Sequence, residues 1–341
     1  MLAKLSLLPL LSAAVAATPL LGARAPVAAL DERAVTVTAG DLSNFEYYVQ
    51  MVAATSCNDE TAANTSITCG ADACPDVQVN GAKMIHTFSG ATTGLQGFVA
   101  LDPTRENIVL AIRGSSNVRN WLTNLLFGLE DCDLVDGCKV HSGFANAWNE
   151  VKGEVLSAIK AAKTANPSYT IVGTGHSLGG AVVTIAAAYL RLDGYPVDIY
   201  TYGSPRVGNE AFTNFVTVQP GAEYRVTHVD DPVPRLPPIL FGYRHTSPEY
   251  WLSTGNGTTI DYTLADIKVC EGDRNTECNG RFTLKLDTDA HVHYLRDIEA
   301  CNADGFELRS IEEDISDEDL AARLAAWAAQ DVEFSNTIMQ A

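Results

Sequence analysis

The pentapeptide Gly175-His176-Ser177-Leu178-Gly179 stands between an apolar β-type run, YTIVGT, and an Ala-rich helical run, AVVTIAAAYL, and few folds accommodate that junction. A sharp strand-to-helix turn lifts a serine hydroxyl clear of a sheet, and glycine on both sides lets neighbouring backbone approach. The helix that follows would aim the positive end of its dipole at the same spot. A bare GxSxG arises by accident in roughly one chain of this size in ten, with glycine at about 7% of residues. The strand before it and the helix after it make Ser177 a candidate nucleophile rather than an ordinary turn residue. His176 is read as a packing or hydrogen-bonding residue, because adjacent side chains in such a turn diverge.

The same alternation runs along much of the chain. A helical pattern covers Asp41 to Thr55, and β-like runs cover Leu95 to Leu101 and Asn107 to Ile112. Helix and strand then alternate: 145–163 helix, 169–174 strand, 178–192 helix, 197–202 strand, 209–218 helix, 224–229 strand. This order predicts an α/β fold with a largely parallel sheet and helices on both faces. Ligands in such sheets bind at the carboxyl ends of the strands, so residues just after each strand are the first candidates for chemistry.

A serine hydroxyl needs an imidazole to take its proton, and the imidazole needs a carboxylate to hold its tautomer. In folds with such an elbow the chain order is Ser, acid, His. Asp230 and Asp231 end the strand in YRVTHVDDPVPRLPP, and Pro232 keeps Asp231 in extended or turn backbone. Local physics does not choose between the two carboxylates. His245, His291 and His293 all come late enough to serve as base. Donors for an oxyanion are expected at the Leu178 N–H and in Arg113-Gly114-Ser115-Ser116, the loop after NIVLAI, where Ser115 can offer its N–H.

The ends of the chain speak to location. Lys4 followed by the Leu/Ala-rich run to Ala17 reads as a signal peptide, too short to cross the roughly 30 Å bilayer core as a stable anchor. Residues 18–33 read as a short propeptide. Eight cysteines suit an oxidising compartment. Spacing suggests three local loops, Cys69 with Cys74, Cys132 with Cys138 and Cys270 with Cys278, leaving Cys57 and Cys301, although sequence alone permits about a hundred pairings. The long link would stabilise by about 5 kcal/mol in the loop-entropy picture. No CxxC pair with nearby histidines suggests zinc, and no metal or cofactor is expected. The formal charge of −19 argues against nucleic acid, whose phosphates require clustered Lys and Arg. Residues 302–341 hold ten acidic and two basic side chains, which makes them an acidic extension. Within it, Ser316 could cap a helix with Leu320, Leu324 and Trp327 on one face. Asn64 and Asn256 fit the N-glycosylation rule.

Val118, Trp121, Leu122 and Leu125 fall at i, i+3, i+4 and i+7, with polar residues between, directly after the oxyanion loop. They predict a short amphipathic helix. Four such side chains represent up to roughly 6 to 12 kcal/mol against full exposure, at about 1.5 to 3 each.

Taken together, SITC (Ser66 to Cys69) with ACP (Ala73 to Pro75), RGS (Arg113 to Ser115), HSGF (His141 to Phe144), GHSLGGA (Gly175 to Ala181), YGSPRVGN (Tyr202 to Asn209), VPRLPP (Val233 to Pro238), FGYRHTSPEYW (Phe241 to Trp251) and AHVHY (Ala290 to Tyr294) resemble the filamentous-fungal class 3 lipases of the Rhizomucor and Thermomyces type, more closely the Thermomyces branch. The resemblance spans about residues 40 to 301. It implies an α/β-hydrolase fold, a catalytic domain over 34–301, Ser177, Asp231 and His291 as triad, and Ser115 and Leu178 as oxyanion donors. It also implies the cysteine pairs given above and a hinged lid with Trp121 at its tryptophan position. Pro232 departs from the family pattern after the acid, and His293 stands at a variable position. The expected activity is hydrolysis of triacylglycerol esters at an oil–water interface, with no stable membrane anchor and no oligomeric partner specified. A feruloyl or acetyl-xylan esterase on the same scaffold would carry a polar lid, and a non-catalytic binding protein would be expected to lack a triad member.

Overall fold

The strand NIVLAI, β3 (Asn107–Ile112), is buried at every position, as a central strand covered on both faces must be. A computed structural model describes residues 36–115, 122, 127–281, 286–301 and 315–339. In it β3 is joined in an eight-stranded sheet by β1 (Lys83–Ser89), β2 (Gln96–Asp102), β6 (Thr170–His176), β7 (Val197–Tyr202), β8 (Glu223–His228), β9 (Glu249–Leu252) and β10 (Ile267–Cys270). The spatial order is β1-β2-β3-β6-β7-β8-β9-β10. β3, β6, β7, β8 and β9 pair in parallel, while β1, β2 and β10 run antiparallel at the two margins. A separate hairpin pairs β4 (Leu129–Asp131) with β5 (Lys139–His141).

Alternation along each strand divides its side chains between two cores. Ile108, Leu110 and Ile112 face one core with Ile171 and Ile199, whereas Val109 and Ala111 face the other with Val172, Tyr200 and Tyr202. Helices α3 (Ser142–Ala165) and α4 (Leu178–Leu192) fill the first through Phe144, Trp148, Val155 and Val182. Helix α1 (Ala39–Cys57) fills the second through Phe45, Tyr48, Val49 and Val52. Thr38 caps α1 by accepting from Asp41 N at 3.1 Å, and the Asp41 carboxylate accepts from Thr38 N at 2.9 Å.

The helices expected over 41–55, 145–163, 178–192 and 209–218 are present, with ends shifted by at most three residues, while the one expected at Val118 to Leu125 lies outside the described residues except for Leu122. α3 begins at Ser142 because His141 caps it, its Nδ1 accepting from Gly143 N at 3.1 Å. α5 (Glu210–Val218) begins after its cap Asn209. β1, β9 and β10 were not expected: β1 is largely half-exposed, and the other two are four residues each. The five-residue helices α2 (Pro75–Val79) and α6 (Thr288–Val292) are likewise too short for a periodic signal.

Four disulfides close the chain, Cys57–Cys301, Cys69–Cys74, Cys132–Cys138 and Cys270–Cys278, with Cα separations of 5.3, 5.6, 5.2 and 6.1 Å. The acidic extension contributes α7 (Asp317–Met339), capped by Ser316, whose Oγ accepts from Asp319 N at 3.1 Å. Leu320 and Leu324 have no exposure, while Trp327 is half-buried and Ala328 takes the inner position. Among the described residues, no helix is long and apolar enough to cross a membrane. The residues expected to form signal peptide and propeptide lie outside the described ones.

The β6–α4 junction depends on Gly179. A Cβ there would sit 2.2 Å from the Ile112 carbonyl oxygen and 2.7 Å from that of Arg113, both backbone atoms with no freedom to retreat. Gly179→Ala is expected to destabilise the fold by at least about 1 to 3 kcal/mol. Urea unfolding of the two proteins checks this, and equal midpoints would contradict it.

Candidate active site

Ser177 is the N-cap of α4, with φ 53° and ψ −126°, a conformation that non-glycine residues rarely hold. Its N–H donates to Tyr202 O at 2.9 Å, which ties the turn to the neighbouring strand. The side chain is 1% exposed. The loop after β3 presses against this turn: a Cβ on Gly114 would lie 3.1 Å from Ser177 Cβ and 2.9 Å from His176 Nδ1. Ser115, next in that loop, and Leu178, the first residue of α4, therefore flank the serine from two elements.

Of the two neighbouring aspartates, Asp231 is the buried one that meets a histidine. It has no exposure, whereas Asp230 is half-buried. His291 Nδ1 donates to the Asp231 carboxylate, with Oδ2 at 2.9 Å and Oδ1 at 3.0 Å. Tyr294 OH donates to Oδ2, and Val233 N donates to Oδ1 at 2.9 Å. The backbone is fixed too, because Asp231 N donates to His228 O at 2.9 Å and Asn279 Nδ2 donates to Asp231 O at 3.0 Å. The other histidines are engaged elsewhere. His245 Nε2 donates to Pro234 O at 2.5 Å, and His293 Nδ1 donates to Asp289 O at 2.8 Å.

His291 is held by its main chain as well as its ring. His176 Nε2 donates to His291 O at 2.7 Å, and the two rings lie 4.4 Å apart. His228 Nδ1 donates to the preceding carbonyl, Ala290 O, at 2.8 Å. Gly203, at φ 58°, leaves room for the pair: a Cβ would fall 2.9 Å from Asp231 Oδ2 and 3.0 Å from His291 Nδ1. Ser177 Oγ and His291 Nε2 are both buried with no hydrogen-bond partner among the described residues. One is a hydroxyl with a proton to give, the other a ring nitrogen whose opposite nitrogen already carries its proton toward Asp231.

Burial sets the protonation of the supporting groups. It holds the Tyr294 hydroxyl well above its usual pKa, with the Asp231 charge adding to it, so Tyr294 stays a donor. It pushes His176 and His245 well below the usual imidazole range, assisted by His291 in the first case and by Arg225 and Arg206 in the second; burial also lowers His228.

The predicted lid is represented by Leu122 alone, which is fully buried against Val233 and Leu236 of the segment following Asp231. Val118, Trp121 and Leu125 lie outside the described residues. Asn64 and Asn256 are both exposed. The Cys57, Cys69 and Cys301 sulfurs cluster within 4.8 Å, but all are bound in disulfides and offer no thiolate to a metal. Sequence reasoning missed Tyr294, Asn279 and Gly203. Tyr294 had a usable signal, since a buried tyrosine needs a partner and this one closes the AHVHY motif with the base.

Comparison with known proteins identifies the family. Residues 109–241 match the family described as Lipase (class 3). Over 97% of both chains, the protein is 52% identical to the secreted mono- and diacylglycerol lipase 1 of Fusarium solani. The chain belongs to the class 3 lipases. This lipase is accordingly an ester-hydrolysing enzyme of a secreted fungal group, and it is itself secreted. Its fold is similar to that of the solved mono- and diacylglycerol lipase of Aspergillus oryzae, with a TM-score of 0.73 and 39% identity over 78% of this chain and 99% of that one. It is also similar to a solved triacylglycerol lipase described as having a serine protease triad at its catalytic centre, with a TM-score of 0.68 and 29% identity over 78% of this chain and 99% of that one.

The lowered histidine pKa values predict a pH effect on the stability of this lipase. Below about pH 6.5 the unfolded chain binds protons that the buried native imidazoles refuse, so each such histidine contributes a loss of stability as pH falls, up to about 1.4 kcal/mol per unit. His245→Gln is expected to remove up to that much slope between pH 6.5 and 5.5, measured by urea unfolding at each pH. Parallel curves for the two proteins would contradict it.

Proposed function

We propose that this lipase cleaves acylglycerol esters through Ser177, with His291 as general base and Asp231 holding its imidazole. The observation that carries the proposal is the complementary pair of buried, unpartnered atoms, Ser177 Oγ and His291 Nε2, beside a fully hydrogen-bonded Asp231–His291 unit. Ser177 Oγ attacks the ester carbonyl as its proton passes to His291 Nε2. The tetrahedral oxyanion is met by the Leu178 N–H and by Ser115, and loss of one such donor costs on the order of 3 to 4 kcal/mol in a well-studied enzyme. Collapse releases the glycerol oxygen, which takes the proton from His291 and leaves Ser177 acylated. Water then attacks the acyl group with His291 again as base, releasing the fatty acid and restoring the serine.

The substrates proposed are mono- and diacylglycerols ahead of triacylglycerols, on the strength of the relatives named for the partial glycerides. The apolar lid pattern, Val118, Trp121, Leu122 and Leu125, supports action on lipid at an oil–water interface rather than on a soluble aryl ester. The lid's net drive to open is far below its full transfer energy, because only the difference between lipid contact and self-contact counts.

Emulsions of monoolein, diolein and triolein, with methyl ferulate beside them, test the assignment. The expected order is partial glycerides first, triolein slower and ferulate negligible, with Ser177→Ala reducing kcat by roughly a millionfold. Ferulate as the preferred substrate would contradict the glyceride reading, and faster triolein hydrolysis would contradict the preference for partial glycerides. Retained activity in Ser177→Ala would contradict the mechanism.

A further inference from the structure

α7 touches two described residues that follow the oxyanion loop, Leu122 and Phe127. Leu122 shares an apolar cluster with Leu320, Leu324 and Ala328 of α7. Phe127 meets the Trp327 ring edge-on, with centroids 4.8 Å apart. The cluster around Leu122 also contains Val233 and Leu236, which follow Asp231, and draws in Leu286 and Val292, which flank His291. The apolar face of α7 therefore sits on a collar made from the segments that carry the lid, the proposed acid and the proposed base.

A polar clamp extends the same face. Asp331 lies three residues beyond Ala328, and its side chain is 3% exposed. Its carboxylate accepts from Arg206 Nη1 at 2.7 Å and from Ile239 N at 2.6 Å. Arg206 Nη1 also donates to the carbonyls of Arg235 and Pro237, at 2.7 and 2.9 Å, so Asp331 supplies the negative charge in direct contact with it. An acidic extension that was merely solvated would not bury a carboxylate opposite a buried guanidinium. Residues on the remaining faces, Glu318, Val332 and Glu333 among them, are exposed.

We propose that the collar beneath α7 is the surface on which an acylglycerol aggregate docks, and that α7 is its resident occupant. Helix and lipid then compete for one apolar surface. A contiguous apolar collar beside an esterolytic site is what a lipid interface would bind, and it is what a secreted chain must keep covered in water. With α7 seated, Leu122 is buried beneath it; with α7 displaced, the collar of Leu122, Val233 and Leu236 becomes available to lipid. The fraction of molecules with α7 displaced sets the activity without lipid, and lipid raises that fraction by its preference for the uncovered surface. The proposal rests on Ser177 being the nucleophile.

Two substitutions in the full-length chain loosen α7 by different chemistry: Leu324→Asp removes its central apolar contact, and Asp331→Asn removes the charge facing Arg206 while preserving shape. The readout is the rate at which a small water-soluble p-nitrophenyl phosphonate labels Ser177, with and without phosphatidylcholine–diolein emulsion, in proteins whose near-ultraviolet circular dichroism shows an intact domain. Without lipid, Leu324→Asp is expected to label about tenfold faster than the parent and Asp331→Asn by a smaller factor, while with lipid all three converge. Should Leu324→Asp disturb the domain, Asp331→Asn decides alone, with acceleration supporting the proposal. Folded variants that label no faster than the parent would overturn the cover while leaving Ser177 as nucleophile. Absence of labelling in every protein, even with emulsion, would instead overturn the nucleophile and the cover with it.

Discussion

A carboxylate with no solvent exposure must be answered by donors, and Asp231 organises its surroundings on that condition. His291, Tyr294 and the Val233 amide supply the donors, and they come from chain segments on both sides of the Cys270–Cys278 loop. The carboxylate in turn fixes the imidazole ring, whose free nitrogen is left buried and unpartnered. Gly203 is the residue that lets this pair approach β7, and Asn279 pins the Asp231 main chain from a further loop. The elbow contributes from its own side, since His176 donates to the His291 carbonyl and so joins the Ser177 turn to the His291 loop through one hydrogen bond. Three distant stretches are thereby brought into register.

What could be read from the sequence divides along the range of the interactions. The elbow and the parallel strands were legible because their causes are local: glycine flanks, a strand before, a helix after, and apolar runs buried on both faces. The choice between Asp230 and Asp231, or among His245, His291 and His293, was not legible from local chemistry, and only the family motifs indicated Asp231 and His291. Burial and partners separate these residues in space, and those partners lie about sixty residues away. β1, β9 and β10 escaped notice because short or half-exposed strands carry little periodic signal. In α7 the apolar spacing of Leu320 and Leu324 was visible, but Asp331 on the same face looked like one more acidic residue until Arg206 was found opposite it.

Two kinds of packing surround the proposed site. The inner layer is electrostatic and rigid: a satisfied carboxylate, an oriented ring and a strained serine turn. The outer layer is apolar, with Leu122, the segment after Asp231 and α7 sharing one cluster, which we propose lipid competes for. Rigidity inside serves catalysis because transition-state stabilisation requires preorganised groups. The His176 and His228 contacts to the backbone of residues 290 and 291 keep the two layers distinct, since they hold His291 without passing through α7.

Whether Ser177 and His291 act as one unit is the claim on which the account turns. A double-mutant cycle on kcat with Ser177→Ala, His291→Ala and the combined variant measures it most directly. Residues of a single proton-transfer unit give grossly non-additive losses, so the account predicts that the double variant is no slower than the slower single one. Losses that multiply, each residue contributing independently, would contradict it.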